Sequence, residues 1–119
     1  MKDDRRTQWL RGILDLCVLS ALADGEPYGY ELSQQLEQAG LGPVKGGTLY
    51  PLLARLERAG HVSTVWREGK QGPSRKYYSL TRAGHDFLSA HTGTWFSFAK
   101  TVESLLHQGR KNRWTTKRT

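Results

Sequence analysis

One cysteine, Cys17, leaves no partner for an internal disulfide. Stability must come from packing, and a cytoplasmic setting is the natural expectation. Proline is scarce too, at four residues, and no repeat or low-complexity domain occurs. No apolar run approaches the roughly 20 residues that span a bilayer, so no membrane partner is expected. The start, Met1-Lys2-Asp3-Asp4-Arg5-Arg6, is too charged for a secretory leader. His61, His85, His91 and His107 are scattered, and none lies four residues from another His or from Cys17, so no metal site is expected. Gly46-Gly47 is not followed by the Lys-Ser or Lys-Thr pair of a phosphate-cradling loop. No Gly-x-Ser-x-Gly or paired-carboxylate cleft occurs either. Neither an enzyme nor a bound cofactor is expected. The last shortage is of acid: 11 Asp and Glu face 18 Lys and Arg, for a net charge of +7. Such a surplus calls for a polyanion, most simply nucleic acid.

What is present centres on residues 46–60. Leu49, Leu52, Leu53 and Leu56 recur at helical spacing and define a buried stripe. Thr48 suits a helix cap, Pro51 suits the first turn, and Gly60 suits the left-handed residue just past the end. Thr48, Tyr50, Pro51, Arg55 and Arg58 remain on or near the other side. That outer face suits a DNA major groove, although an ordinary surface helix shows the same amphipathic pattern.

Around it, Trp9 to Ala23 reads as one helix, apolar around most of its circumference, after a frayed start over residues 1–8. Such a helix needs cover on more than one side, which points to a second copy of the chain. Residues 28–39 read as another helix with Leu32, Leu36 and Ala39 inward, and Gly40 to Gly47 as a connection. Val62 to Glu68 and Arg75 to Leu80 read as two strands. Tyr78 and Leu80 share an inner face with Val62 or Thr64. The turn between them is basic, so Lys70, Arg75 and Lys76 are candidate phosphate contacts, beside Lys45 at the helix start. A plain surface hairpin with solvated charges is the competing reading.

Thr81 suits the cap of a last helix, from Arg82 to about His107. Leu88, Thr92, Trp95, Ala99, Val102 and Leu106 alternate by four and three, a coiled-coil-like seam. Phe87, Phe98 and Leu105 widen it. With Leu14 and Val18 of the first helix, this seam is the expected two-fold interface. Residues 108–119 carry five basic residues and no acid, and read as a disordered tail. The expected fold is mainly α with a small β-hairpin. It comprises a DNA-binding unit over 1–80, a dimerisation helix over 81–107 and the tail.

Four pieces carry a family resemblance: Leu10 to Leu19, Tyr28-Gly29-Tyr30-Glu31-Leu32, Gly47-Thr48-Leu49-Tyr50-Pro51-Leu52-Leu53-Ala54-Arg55-Leu56-Glu57, and Arg75-Lys76-Tyr77-Tyr78-Ser79-Leu80-Thr81-Arg82-Ala83-Gly84. With the last helix they span roughly residues 9 to 107 and resemble the PadR family of bacterial transcriptional regulators. The resemblance implies a winged helix-turn-helix and a homodimeric repressor on an inverted repeat of double-stranded DNA. It also implies release by a small aromatic or drug-like effector. Thr48 and Tyr50 match the family's recognition-helix contacts, and Arg75 and Lys76 match its wing. Trp95 matches a tryptophan at the dimer interface that lines a ligand pore in drug-binding relatives, where Phe98, Leu14 and Thr92 are further candidate lining residues. Two other functions stay open on the residues alone. One is a winged-helix module for protein contact, which the basic hairpin disfavours; the other is a ligand-binding protein with only non-specific DNA affinity.

Overall fold

A computed structural model describes residues 4–69 and 71–117, and of 111–117 the backbone alone. In chain order come α1 (Arg5–Arg11), α2 (Leu14–Leu22), α3 (Gly29–Leu36), a π-type turn over Glu37–Leu41, α4 (Gly46–Arg58), β1 (Val62–Arg67), β2 (Arg75–Leu80) and α5 (Arg82–Lys117). Lys70 lies outside the described residues.

The first helix is two helices. Asp4 caps α1, its carboxylate accepting from the Thr7 N–H at 2.8 Å and the Thr7 hydroxyl at 3.0 Å. The Thr7 backbone hydrogen bond is the main reason its pKa falls below the ordinary carboxylate value. Residues 5–8 are therefore helical rather than frayed. α1 ends at Gly12, and Ile13 leaves helical geometry at φ −127°, ψ −5° before α2 begins. The apolar pattern continues across the break, but glycine is a weak helix former and lets the chain turn.

α2 lies at the centre of the core. Leu14, Val18, Leu19 and Leu22 are buried together with Leu32, Leu36, Val44, Leu49, Leu52, Leu53, Leu56, Val62 and Tyr78. Leu14 is 3% exposed and Val18 0%. Both are expected at a two-fold interface, and Leu14 also at a ligand site; both are instead sealed inside their own chain. The surrounding helices and the hairpin cover more sides of α2 than a domain of this size was expected to manage.

α3 stops at Leu36, and the π-type turn replaces its expected last residues. Two polar ties hold the connection to α4: the Arg6 guanidinium donates to the Gly40 carbonyl at 3.1 Å, and the Ser33 hydroxyl donates to the Val44 carbonyl at 3.3 Å.

α4 starts two residues earlier than Thr48, with Lys45 at its cap position and no side-chain cap. The Thr48 and Leu49 N–H groups bond to the Lys45 carbonyl, each at 2.9 Å. Thr48 is therefore a first-turn residue, and Pro51 falls in the second turn. Its missing N–H leaves the Gly47 carbonyl without a helical partner, tolerable because Gly47 is exposed to water. The four leucines of the stripe are all buried. Past the end, Gly60 adopts φ +83°. Its N–H bonds to the Glu57 carbonyl at 3.0 Å and that of His61 to the Leu56 carbonyl at 2.9 Å, a Schellman closure.

β1 and β2 pair antiparallel, with Val62 opposite Leu80 and Thr64 opposite Tyr78. The Tyr78 N–H also bonds to the Pro27 carbonyl at 2.9 Å, and Tyr28 forms a single bridge with Tyr77. The segment before α3 thus lies along the free edge of β2. Thr81 closes the hairpin. Its hydroxyl accepts from the Gly84 N–H at 2.9 Å, capping α5, and donates to the Gly60 carbonyl at 2.6 Å.

The chain divides into two compact units, 1–88 and 89–119. α5 begins in the first and continues through the second. It runs on to Lys117, where a disordered tail was expected from Gln108. Gln, Arg and Lys are good helix formers, and the lone Gly109 does not stop the helix.

Candidate nucleic-acid interface

The outer face of α4 is built by elimination. Its leucines take the inner side, so Thr48, Tyr50, Pro51, Arg55 and Arg58 are left exposed, with Lys45 just before them. Tyr50 is 47% exposed. Its ring lies against Gly46 and over Gly29, the buried first residue of α3. The aromatic ring is thereby held between the starts of the two helices, while its other face meets solvent. Three positively charged side chains and two hydroxyls share this face.

The hairpin flanks this helix and carries two sets of charged side chains on opposite faces. On one face, Arg67 and Arg75 stand directly opposite each other across the strands. Like charges in such a pair repel. Each guanidinium is offset by a tyrosine ring: Arg67 lies 4.5 Å from the centroid of Tyr77 and Arg75 lies 4.3 Å from that of Tyr28. Those two rings meet edge to face at 5.6 Å. Arg67 also pairs with Glu26 at 3.2 Å. Exposed cation–π contacts are worth about 0.5–1 kcal/mol each, enough to bias the side chains toward these positions. Arg75 remains exposed.

On the other face, Lys76 is half-buried. Its ammonium lies 3.5 Å from Glu57 Oε1 and 5.8 Å from the Tyr78 ring centroid. Expected as a bare phosphate contact, Lys76 is instead matched by a carboxylate from α4. That pair joins elements distant in sequence, so residue spacing could not reveal it. The same Glu57 accepts from the Thr64 hydroxyl at 2.9 Å. Burial, then the charges of Tyr50 and Glu57, hold the Tyr78 phenol above its ordinary pKa.

Gly29, Glu57 and the Tyr28–Tyr77 pair were absent from the sequence candidates. The glycine had a legible signal, since it sits inside the Tyr28 to Leu32 motif. Gly84 belongs with it: a Cβ there would run into the His61 carbonyl.

The second unit is a helix with an apolar stripe. Trp95 is 39% and Val102 37% exposed, while Phe96, Phe98, Leu105 and Leu106 are more exposed still. Thr92 and Ala99 are half-buried. The Trp95 and Phe96 rings meet edge to face at 5.8 Å. Leu88 belongs to the first unit, where it packs partly buried against the core. Among the described residues no helix is long and apolar enough to cross a membrane.

Helices α2 to α4 followed by a basic hairpin make a winged helix-turn-helix of the transcriptional-regulator class. Within that class the chain belongs to the PadR-like family of transcriptional regulators, whose model matches residues 18–90. The chain is 37% identical to the transcriptional regulator Rv3488 of Mycobacterium tuberculosis over 82 residues, 69% of this chain and 75% of that one. Its structure is similar to a PadR-like regulator from Bacillus cereus, with a TM-score of 0.74 at 36% identity, covering 83% of this chain and 96% of that one. A PadR family regulator from Eggerthella lenta gives a TM-score of 0.77 at 36% identity, covering 84% and 87%. These family members are regulators of transcription, not enzymes.

Proposed function

We propose that this protein is a homodimeric repressor that binds an inverted repeat in double-stranded DNA and is released by a small aromatic effector. The single observation that supports DNA readout best is the outer face of α4. Lys45, Thr48, Tyr50, Pro51 and Arg55 are all exposed there over a fully buried leucine stripe. In this reading α4 enters the major groove with its first turns against base edges. Arg75, on the flanking hairpin, meets the phosphate backbone.

The dimer is supported by the stripe of Trp95, Ala99, Val102 and Leu106. An apolar face of this size rarely stays open on a soluble chain, and a second copy can cover it symmetrically. The two-fold axis then places two Trp95 side chains near each other, with Phe98 and Thr92 alongside. A flat aromatic effector fits such a site, since ring stacking adds about 0.5–1.5 kcal/mol per pair beyond area burial. It acts on DNA binding only by favouring a wing spacing that does not match the operator.

A gel-shift against the DNA upstream of the protein's own gene tests the reading. The expected result is a discrete complex resistant to excess random DNA. Complete competition by random DNA at equal mass would leave only non-specific affinity.

A further inference from the structure

Glu57 lies on the recognition helix but is turned toward the hairpin. One carboxylate oxygen accepts from the Thr64 hydroxyl of β1 at 2.9 Å, and the other faces the Lys76 ammonium of β2 at 3.5 Å. The two strands are thus both tied to one side chain of α4. Thr64 and Lys76 are not cross-strand partners; Thr64 faces Tyr78 and Lys76 faces Trp66. The carboxylate therefore spans the hairpin diagonally. We propose that Glu57 is a positioning residue for DNA readout, fixing the wing relative to the recognition helix and withholding the Lys76 charge from the phosphate backbone. The proposal rests on the DNA-binding function above.

Val62 and Tyr78 seat the base of the hairpin in the core, but the part of the hairpin beyond them can still bend relative to α4, and bending changes whether base contacts and phosphate contacts form together. One hydrogen bond and one ion pair to the same carboxylate restrict that motion. Separately, Lys76 is about one-third exposed on its side chain, so water and salt still reach it. Without Glu57 it becomes an additional cation for any DNA, whatever the sequence. Both effects act in one direction: Glu57 raises discrimination without touching a base.

Glu57→Gln tests this because it keeps the shape and an acceptor for Thr64 and removes only the charge. Glu57→Ala removes both ties. The probes are a duplex enriched from a random pool by the wild-type protein and a shuffled duplex of equal length, each titrated by anisotropy across a salt series. For Glu57→Gln, shuffled-duplex affinity is expected to rise several-fold and the salt slope to steepen by about one unit. In a Lys76→Gln background the same change should leave the slope alone. For Glu57→Ala, the ratio of enriched to shuffled affinity should fall about tenfold, within the range of coupled neighbours. Variants that melt earlier yet keep both affinities and the slope overturn the proposal and make Glu57 merely structural. If the wild-type protein enriches no sequence, the DNA-readout function itself fails, and the proposal with it.

Discussion

The Tyr50 ring lies directly over Gly29, so closely that a β-carbon at position 29 would collide with its hydroxyl. A residue of α4 thus takes its place from the first residue of the preceding helix. Gly29→Ala should push the half-exposed ring aside. The fold should tolerate this, since the collision is with a half-exposed side chain rather than with backbone. Operator affinity should fall about tenfold, as is usual for coupled neighbours. Thermal unfolding and anisotropy on the same samples separate the two effects. Unchanged operator affinity would mean that the placement of Tyr50 is irrelevant to DNA.

Gly84 presents the opposite case. There a Cβ meets the backbone carbonyl of His61, which cannot swing away. The cap from Thr81 and the closure at Gly60 meet at this point. Gly84→Ala should cost about 1–3 kcal/mol of stability, the usual range for overpacking. Urea denaturation measures it; a loss under 0.5 kcal/mol would show that the junction yields easily.

Much of this was legible in the residues. The leucine stripe of α4, the left-handed Gly60 and the shared inner face of Tyr78 and Leu80 follow from period and turn chemistry alone; the register that sets Val62 opposite Leu80 and Thr64 opposite Tyr78 does not. The break at Gly12–Ile13 was not legible, because apolar residues continue across it and a single Gly is often tolerated inside a helix. Leu14 and Val18 look like interface residues because the stretch Trp9 to Ala23 is apolar around most of its circumference. Its own domain covers those sides, a fact set by tertiary packing. The start of α4 at Gly46 was missed because two glycines resemble a loop and Thr48 resembles a cap. The partner of Lys76 was not legible either, because it lies 19 residues away at Glu57.

The apolar stripe of α5 gives a test of assembly. Val102 is partly exposed in the single chain. An unpaired carboxylate buried at a dimer interface costs several kcal/mol. Val102→Asp should therefore sediment as a monomer or precipitate, and lose operator binding. A dimeric, DNA-competent Val102→Asp protein would remove this stripe from the interface.

An effector at Trp95 should be visible by fluorescence. Planar cationic dyes and phenolic acids should quench the wild-type protein and weaken its hold on operator DNA. Trp95→Ala should lose both responses. Quenching that persists in Trp95→Ala, or binders that leave DNA affinity unchanged, would take Trp95 out of any release mechanism.

The claim that matters most is that the outer face of α4 reads sequence while the hairpin contacts phosphate. The most direct measurement is the affinity ratio between an enriched duplex and a shuffled one, at several salt concentrations, for the wild type, Thr48→Ala and Arg75→Ala. The enriched site should be an inverted repeat with half-sites about 10 bp apart. The wild type should prefer it by at least about a thousandfold at physiological salt. Thr48→Ala should lower that ratio, whereas Arg75→Ala should weaken both duplexes alike and flatten the salt slope by about one unit. Equal affinity of the wild type for both duplexes, or the same loss of ratio in both variants, would contradict the account.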